Sequence, residues 1–391
     1  MSTKNDFSSS ISRLCKKNYL RLPLVLVLLL MALPAVSRAA TPWYSYGSAH
    51  TLMLAEDGKV WALGANNYGQ LGNGAFGGES LEPRKVAGLD GIVAVLAGGS
   101  HSVALKNDGT VWTWGYNGSG QLGDGTTQRS SVPHMVAGIG NVKAIATGRN
   151  HVVALKQDGT VLAWGDNISG QGGNGGNINC MKPTQVPGLR DVAAITAGQF
   201  TTYALKNDGS VWSWGYNGSG QLGNDEHELN SKTPVRVAGL DNVRAVAAGD
   251  SHVVALKQDG TVWAWGNNRA SQLASKTVSY SASPVQVKGI DNVTDITASV
   301  GHTIAIAKND SVWAWGDAGT GQWGNGISLD GSVSPVQVSG YNGPVTVAAV
   351  VNPGTVLRGK QEGSSSLADA GSSHGTSSHD KGAEIFITAS R

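Results

Sequence analysis

The chain has 391 residues, with 55 glycines, 12 tryptophans and only four phenylalanines, and charged residues make up 14% of it. Soluble domains usually carry about 25% charged residues, and this composition favours many short strands joined by tight turns. The formal net charge is +2, but residues 1–39 hold six of the 29 basic and one of the 27 acidic residues, so the remainder has a net charge of −3. The remainder therefore lacks the basic excess that a nucleic-acid partner requires.

The N-terminus has the order of features typical of a secretory signal. Basic residues up to Arg21 precede an apolar run at 22–33, and small residues ending at Ala39 follow. A run of about twelve residues is shorter than the roughly 20 that span a bilayer, which favours a cleaved signal over a membrane anchor. We expect cleavage after Ala39, a secreted or periplasmic mature chain, and no stable membrane anchor after cleavage. Cys180 is then the remaining cysteine, which excludes an intramolecular disulfide.

Six repeats follow between residues 41 and 358. Each repeat contains a glycine at the end of a Trp-rich or related strand, and a proline recurs in step with it. The glycines are Gly64, Gly115, Gly165, Gly215, Gly266 and Gly316, and the prolines are Pro83, Pro133, Pro183, Pro234, Pro284 and Pro335. A fixed period of about 50 residues is typical of repeat architectures such as propellers.

The second repeat shows the internal organisation. Residues 94–97 and 102–105 are apolar segments, an Asn-Asp-Gly hairpin turn lies at 107–109, and residues 111–114 form the returning strand. After a polar loop, Pro133 opens a last extended segment. Four strands per repeat, with no helical periodicity, predict an all-β fold: a β-propeller of six four-stranded blades.

The ends of the repeat array leave the number of blades open. Residues 41–47 and 345–357 look like incomplete copies of the repeat strands. They either pair to close the ring or contribute to a seventh blade, so seven blades stay an alternative. Residues 359–391 are predicted to form a flexible tail, because 363–382 are rich in Ser and Gly.

The repeat resembles that of a known family. Its pattern reads Gly-x-x-His-x-x-Ala-Leu-Lys-x-Asp-Gly-x-Val-Trp-x-Trp-Gly-x-Asn-x-x-Gly-Gln-Leu-Gly and covers residues 44 to about 340. This pattern is similar to the repeat of the regulator of chromosome condensation family. The resemblance implies a propeller, usually of seven blades, and the N-terminal signal suggests an exported, bacterial-type member.

Residues that recur at the same point of most repeats are expected to be structural, and Thr201 stands in place of the histidine in the fourth repeat. Histidines recur at one point of the repeat, but each lies in a different blade, whereas the ligands of one metal ion lie within about 2 Å of it. We therefore expect buried histidines that bond to nearby turns, and no metal. Paired tryptophans such as Trp112 and Trp114 are expected to pack between blades. Residues 118–123 fit a dinucleotide fingerprint, but no helix is predicted after them, so no cofactor is expected. The histidines are His50, His101, His151, His252 and His302.

The loops that differ between repeats are the candidate binding site. Equivalent loops of a propeller emerge on one rim, so their side chains combine into one surface. The loops are 73–82, 124–132, 174–182, 224–233, 275–283 and 325–334, and their large or charged members are Phe76, Glu79, Arg129, Met181, His227, Glu228 and Tyr280.

Export, a regular propeller and no recognisable catalytic constellation predict a monomeric protein-binding scaffold that is not an enzyme. The resemblance implies an inhibitory form of this role, since exported relatives include a propeller that covers the active site of β-lactamases. Two alternatives stay open. One is guanine-nucleotide exchange on a small GTPase, the best-known activity of the family, although the constant repeat spacing leaves no room for the hairpin wedge on which that activity looks to depend. The other is carbohydrate or cell-wall binding on the Trp-bearing strands.

Overall fold

The computed structural model describes residues 43–275, 278–318 and 332–338. In these ranges the chain forms 24 strands, arranged as six four-stranded antiparallel sheets. Each sheet takes its strands in chain order and forms one blade, which confirms the all-β propeller. No helix in these ranges is long and apolar enough to cross a membrane. The expected signal (1–39), the tail (359–391) and the segment 345–357 lie outside the described residues.

Blades 1 to 3 contain strands β1 to β12. Blade 1 consists of β1 (Trp43–Tyr46), β2 (His50–Leu54), β3 (Val60–Ala65) and β4 (Glu79–Lys85). Blade 2 consists of β5 (Ile92–Ala97), β6 (His101–Lys106), β7 (Val111–Gly115) and β8 (Ser130–Met135). Blade 3 consists of β9 (Val142–Thr147), β10 (His151–Lys156), β11 (Val161–Gly165) and β12 (Cys180–Gln185).

Blades 4 to 6 contain strands β13 to β24. Blade 4 consists of β13 (Val192–Ala197), β14 (Thr201–Lys206), β15 (Val211–Tyr216) and β16 (Asn230–Arg236). Blade 5 consists of β17 (Val243–Ala248), β18 (His252–Lys257), β19 (Val262–Asn267) and β20 (Tyr280–Gln286). Blade 6 consists of β21 (Val293–Ala298), β22 (His302–Ala307), β23 (Val312–Gly316) and β24 (Ser332–Gln337).

The Asp-Gly turn joins the second and third strands of a blade, as predicted. In blade 2, Gly109 has a φ of 80°, a left-handed conformation that glycine adopts without steric cost. Its amide donates a hydrogen bond to the carbonyl of Lys106 at 2.9 Å. The Asp108 carboxylate accepts a hydrogen bond from the Thr110 amide at 2.9 Å, so two short-range bonds hold the hairpin closed.

The recurring proline lies inside the fourth strand of each blade. Pro133 is within β8, whereas the sequence suggested that it opens the last extended segment. The register between β7 and β8 shifts between Thr113 and Gly115, which marks a bulge beside the proline. Because β8 is the outer strand of its sheet, the missing N–H of Pro133 lies where no further strand requires it.

The described part of the segment predicted at 41–47 belongs to blade 1. Trp43–Tyr46 forms strand β1, which pairs along its whole length with β2. It is therefore the first strand of a complete four-stranded blade and not part of a seventh. The first strands of successive blades contact one another from β1 to β21, so they lie innermost, around the propeller axis.

The core lies between blades. Each junction of successive blades holds its own cluster of buried aliphatic side chains, and each cluster includes one tryptophan from the later blade. Trp114 of blade 2 donates its Nε1–H to the carbonyl of Gln70 in blade 1 at 2.9 Å. Trp112 packs half-buried against the same cluster, which confirms the expected packing between blades. The Trp114 bond recurs at Trp164–Gln121, Trp214–Gln171, Trp265–Gln221 and Trp315–Gln272.

Candidate functional site

One end of the propeller carries the loops that differ between blades. Because successive strands are antiparallel, the loop after the first strand and the loop after the third strand emerge at the same end. We call this end the loop face. It comprises the short loops at 47–49, 98–100, 148–150, 198–200, 249–251 and 299–301, and the long loops at 66–78, 116–129, 166–179, 217–229, 268–275 and 278–279.

A buried asparagine shapes each long loop. In blade 2, the Nδ2 of Asn117 donates hydrogen bonds to the carbonyls of Thr126 at 3.1 Å and Gln128 at 2.9 Å. Its Oδ1 accepts a hydrogen bond from the amide of Leu122 at 2.9 Å. The equivalent residues Asn66, Asn167, Asn217 and Asn268 bond in the same way within their own loops. In blades 1 to 3 the same Nδ2 also bonds one Asn or Asp side chain of the loop, at Asn73, Asp124 and Asn174. The main-chain bonds hold the loop backbone in place while the other loop side chains differ.

Three of the seven predicted site residues lie in strands and not in loops. Glu79 and Tyr280 are the exposed first residues of β4 and β20. Met181 is the second residue of β12 and is half-buried. Its side chain lies over Gly120 of blade 2, where a Cβ would overlap the Met181 sulfur. Met181 therefore contributes to the packing of blades 2 and 3.

The structure brings two of the seven predicted residues into contact. Arg129 of blade 2 places its guanidinium carbon 4.6 Å from the ring centroid of Phe76 in blade 1. The Nη1 of Arg129 also donates a hydrogen bond to the carbonyl of Asn67 at 3.0 Å. Beside it, Tyr68 and Tyr116 form a T-shaped pair with centroids 4.8 Å apart. We call Tyr68, Phe76, Tyr116 and Arg129 the aromatic–arginine cluster. His227 and Glu228 are exposed in the long loop of blade 4.

The most exposed large apolar side chains of the loop face were not singled out by the sequence. Ile178 is 81% exposed, Leu229 is 70% exposed and Ile168 is 68% exposed. All three lie in the long loops of the adjacent blades 3 and 4. Isoleucine and leucine are ordinarily core residues, so an aliphatic side chain in a sequence loop gives no sign of its exposure.

Four of the five recurring histidines join blades through a hydroxyl group of the next blade, whereas the sequence suggested a bond to a nearby turn. The Nε2 of His151 in blade 3 lies 3.1 Å from the Thr202 hydroxyl of blade 4. Burial lowers the pKa of His151 to about 4, so the ring is neutral at pH 7. The other pairs are His50–Ser102, His101–Thr147 and His252–Thr303. In the described ranges, no three His, Cys, Asp or Glu side chains are placed to hold a metal ion.

The second tryptophan of each pair is fully buried, as Trp114 and Trp214 illustrate. A sugar stacks on the exposed face of an aromatic ring, which these rings do not offer. The alternative of carbohydrate binding on the Trp-bearing strands therefore gains no support at these positions.

The architecture agrees with a comparison of the sequence against family models. The model of the RCC1-like domain matches residues 30–354. The chain belongs to the RCC1-like domain family. Two crystal structures of the yeast member are similar to this RCC1-like propeller. Yeast RCC1 (Prp20) bound to Kap60 has a TM-score of 0.68 and 26% identity, covering 76% of this chain and 74% of that one. Prp20p from Saccharomyces cerevisiae, described with its binding properties to Gsp1p and histones, has a TM-score of 0.66, 26% identity and 76% coverage of each chain.

Curated relatives match this RCC1-like chain over a shorter stretch. RCC1 domain-containing protein 1 of Mus musculus is 46% identical over 78 residues, which is 19% of this chain and 20% of that protein. The probable E3 ubiquitin-protein ligase HERC3 of Homo sapiens is 46% identical over 81 residues, 20% of this chain and 8% of that protein. The chain thus spans about a fifth or less of the length of these relatives.

Proposed function

We propose that this RCC1-like propeller is an exported protein-binding scaffold whose loop face docks on a protein partner. The observation that carries the proposal is the loop face itself, where strongly exposed apolar side chains stand on backbone loops that buried asparagines hold in place. A preordered surface loses little conformational entropy on binding, and exposed apolar side chains supply the burial that drives association. Support for export is the N-terminal sequence, which N-terminal sequencing of the mature chain tests.

The proposal predicts that partner capture depends on the loops of blades 3 and 4. Ile178→Ser and Leu229→Ser remove apolar area from the loop face while leaving the buried core unchanged. In pull-downs from periplasm and culture medium, we expect both variants to lose a partner that the original chain retains. Each lost side chain is expected to raise the Kd by about tenfold, since full burial of a Leu or Ile contributes about 1.5–3 kcal/mol.

The matched control is Val93→Ser, because Val93 is 48% exposed but lies near the start of β5, at the opposite end of the propeller. Equal retention by all three variants would place binding elsewhere and contradict the proposal.

Guanine-nucleotide exchange is the second candidate. The observation in its favour is the similarity to Prp20p, which was described with its binding properties to Gsp1p. Against it, the long loops of blades 1 to 5 lie within repeats of nearly constant length, with no inserted hairpin among the described strands. We expect no acceleration of labelled-nucleotide release from a panel of small GTPases. Clear acceleration that I178S leaves intact would favour exchange over the scaffold role.

A further inference from the structure

We propose that the aromatic–arginine cluster binds an acidic segment of the protein partner, with Arg129 engaging a carboxylate of that segment. The inference rests on the proposed function and adds the chemistry of the partner. It concerns the junction of blades 1 and 2 on the loop face.

Arg129 is held ready to bind. Its guanidinium is stacked 4.6 Å from the Phe76 centroid, and one N–H is bonded to the Asn67 carbonyl. Arginine has five N–H donors, so four stay available for a ligand. No ion pair joins Arg129 to a carboxylate anywhere in the described ranges. An ordered guanidinium without a carboxylate partner is suited to bind one through two parallel hydrogen bonds.

The rings beside Arg129 define what should flank the carboxylate. Phe76 is 47% exposed and Tyr68 is 38% exposed. The T-shaped contact with Tyr116 fixes the Tyr68 ring. Tyr68 directly follows Asn67, and the Asn67 carbonyl accepts a hydrogen bond from Arg129. Tyrosine and arginine are enriched among the residues that dominate binding energy at protein interfaces. The fitting ligand is therefore an Asp or Glu side chain with apolar neighbours.

A single carboxylate fits this junction better than a polyanion. Nucleic acids are bound by several cations that neutralise successive phosphates. Here one guanidinium, that of Arg129, is stacked on the Phe76 ring, and one guanidinium pairs with one carboxylate through two parallel hydrogen bonds.

The test uses the full chain as bait for a random-peptide display library. We expect the enriched peptides to share an Asp or Glu with an apolar neighbour. Arg129→Ala should raise their Kd at least tenfold, and Arg129→Lys should recover little of it, because an ammonium cannot form the bidentate contact. Phe76→Ala should weaken binding several-fold. The control Arg269→Ala, an exposed arginine of the long loop of blade 5, should leave the Kd within a factor of about two.

A double-mutant cycle identifies the contact. Replacing the peptide carboxylate by its amide should weaken binding to the original chain but add nothing to R129A. The inference is overturned if no enriched peptide is sensitive to R129A, if R269A has the same effect, or if Arg129 is needed for a single-stranded DNA oligonucleotide and for no peptide. The proposal that the loop face binds a protein is tested independently by I178S and L229S. It stands if these two variants lose the captured partner, and it is contradicted if they retain it. Unchanged thermal unfolding of R129A excludes a folding defect.

Discussion

A single buried asparagine in each of blades 1 to 5 connects the conserved part of the repeat to its variable part. Asn117 bonds to three main-chain groups, at Leu122, Thr126 and Gln128. The first of these belongs to the corner that packs on the next blade, and the other two belong to the variable loop. The sequence showed that this asparagine recurs in the repeat. It did not show the hydrogen bonds, because these depend on the loop folding back over the side chain.

We predict that Asn117→Ala destabilises the protein by about 2 kcal/mol. The substitution leaves the buried Leu122 amide without a partner, and a buried donor that cannot reach water costs about 1–3 kcal/mol. It also removes the bonds to the part-buried carbonyls of Thr126 and Gln128. Chemical denaturation measures the loss. Hydrogen exchange should show faster exchange of the loop amides around Thr126.

The matched control is Asn177→Ala, which alters an exposed loop asparagine of blade 3. It should change the free energy of unfolding by less than about 0.5 kcal/mol. If N117A is as stable as N177A, the buried side chain does not organise the loop.

At the scale of the blade, two kinds of polar contact accompany the apolar packing of the junctions. The Trp–Gln bond recurs at all five junctions between blades 1 and 6. The His–hydroxyl bond occurs at four of them, and the junction of blades 4 and 5 lacks it because Thr201 replaces the histidine. Thr201 instead donates to the Tyr216 carbonyl of its own blade at 3.1 Å.

These buried histidines predict a stability that falls in mild acid. Burial lowers the pKa of His151 to about 4 and that of His252 to about 3, from 6.5. As the pH falls below 6.5, the unfolded state binds protons that the folded state cannot, so stability present above pH 6.5 is lost until the folded rings titrate. Each histidine should cost about 1.4 kcal/mol per pH unit in this window. Urea unfolding between pH 7.5 and 4.5 measures the slope.

Removing one buried ring should flatten that slope. His151→Gln is expected to be less stable at pH 7 but to lose stability more gradually below pH 6.5. His227→Gln, which changes an exposed loop histidine, is measured beside it as the matched control. An H151Q slope equal to that of the original chain would mean that His151 does not titrate with unfolding.

At the scale of the molecule, the repeats made the fold predictable from the sequence. The binding surface was much harder to predict. Periodic Gly and Pro residues located six blades, because every repeat forms the same turns and the same contacts with its neighbour. The residues that differ between repeats were harder to interpret. Met181 was predicted in a loop, but it lies in β12 and packs on Gly120 of the neighbouring blade. This contact depends on how adjacent blades are aligned, which the sequence does not show. Ile178 and Leu229 gave no sequence signal because exposure depends on where a loop points.

The Phe76–Arg129 contact illustrates the same limit. The two residues are 53 positions apart and belong to different repeats, and they lie in the parts of their loops that follow the shared Gly-Gln-Leu-Gly corner and differ in sequence. Their proximity follows from the neighbouring positions of blades 1 and 2, which the fold supplies. Once the fold is known, residues at the same end of adjacent blades become candidates for joint recognition.

The asparagine-to-backbone bonds have an evolutionary consequence. These bonds to main-chain atoms depend on no loop side chain, although the same asparagines also bond a side chain at Asn73, Asp124 or Asn174. A loop that keeps an Asn or Asp at that position can exchange its other residues with little loss of stability. A duplicated repeat could therefore acquire a new specificity one loop at a time. Transplanting residues 124–128 between blades should preserve folding, which makes the propeller a natural starting point for a designed library of binders.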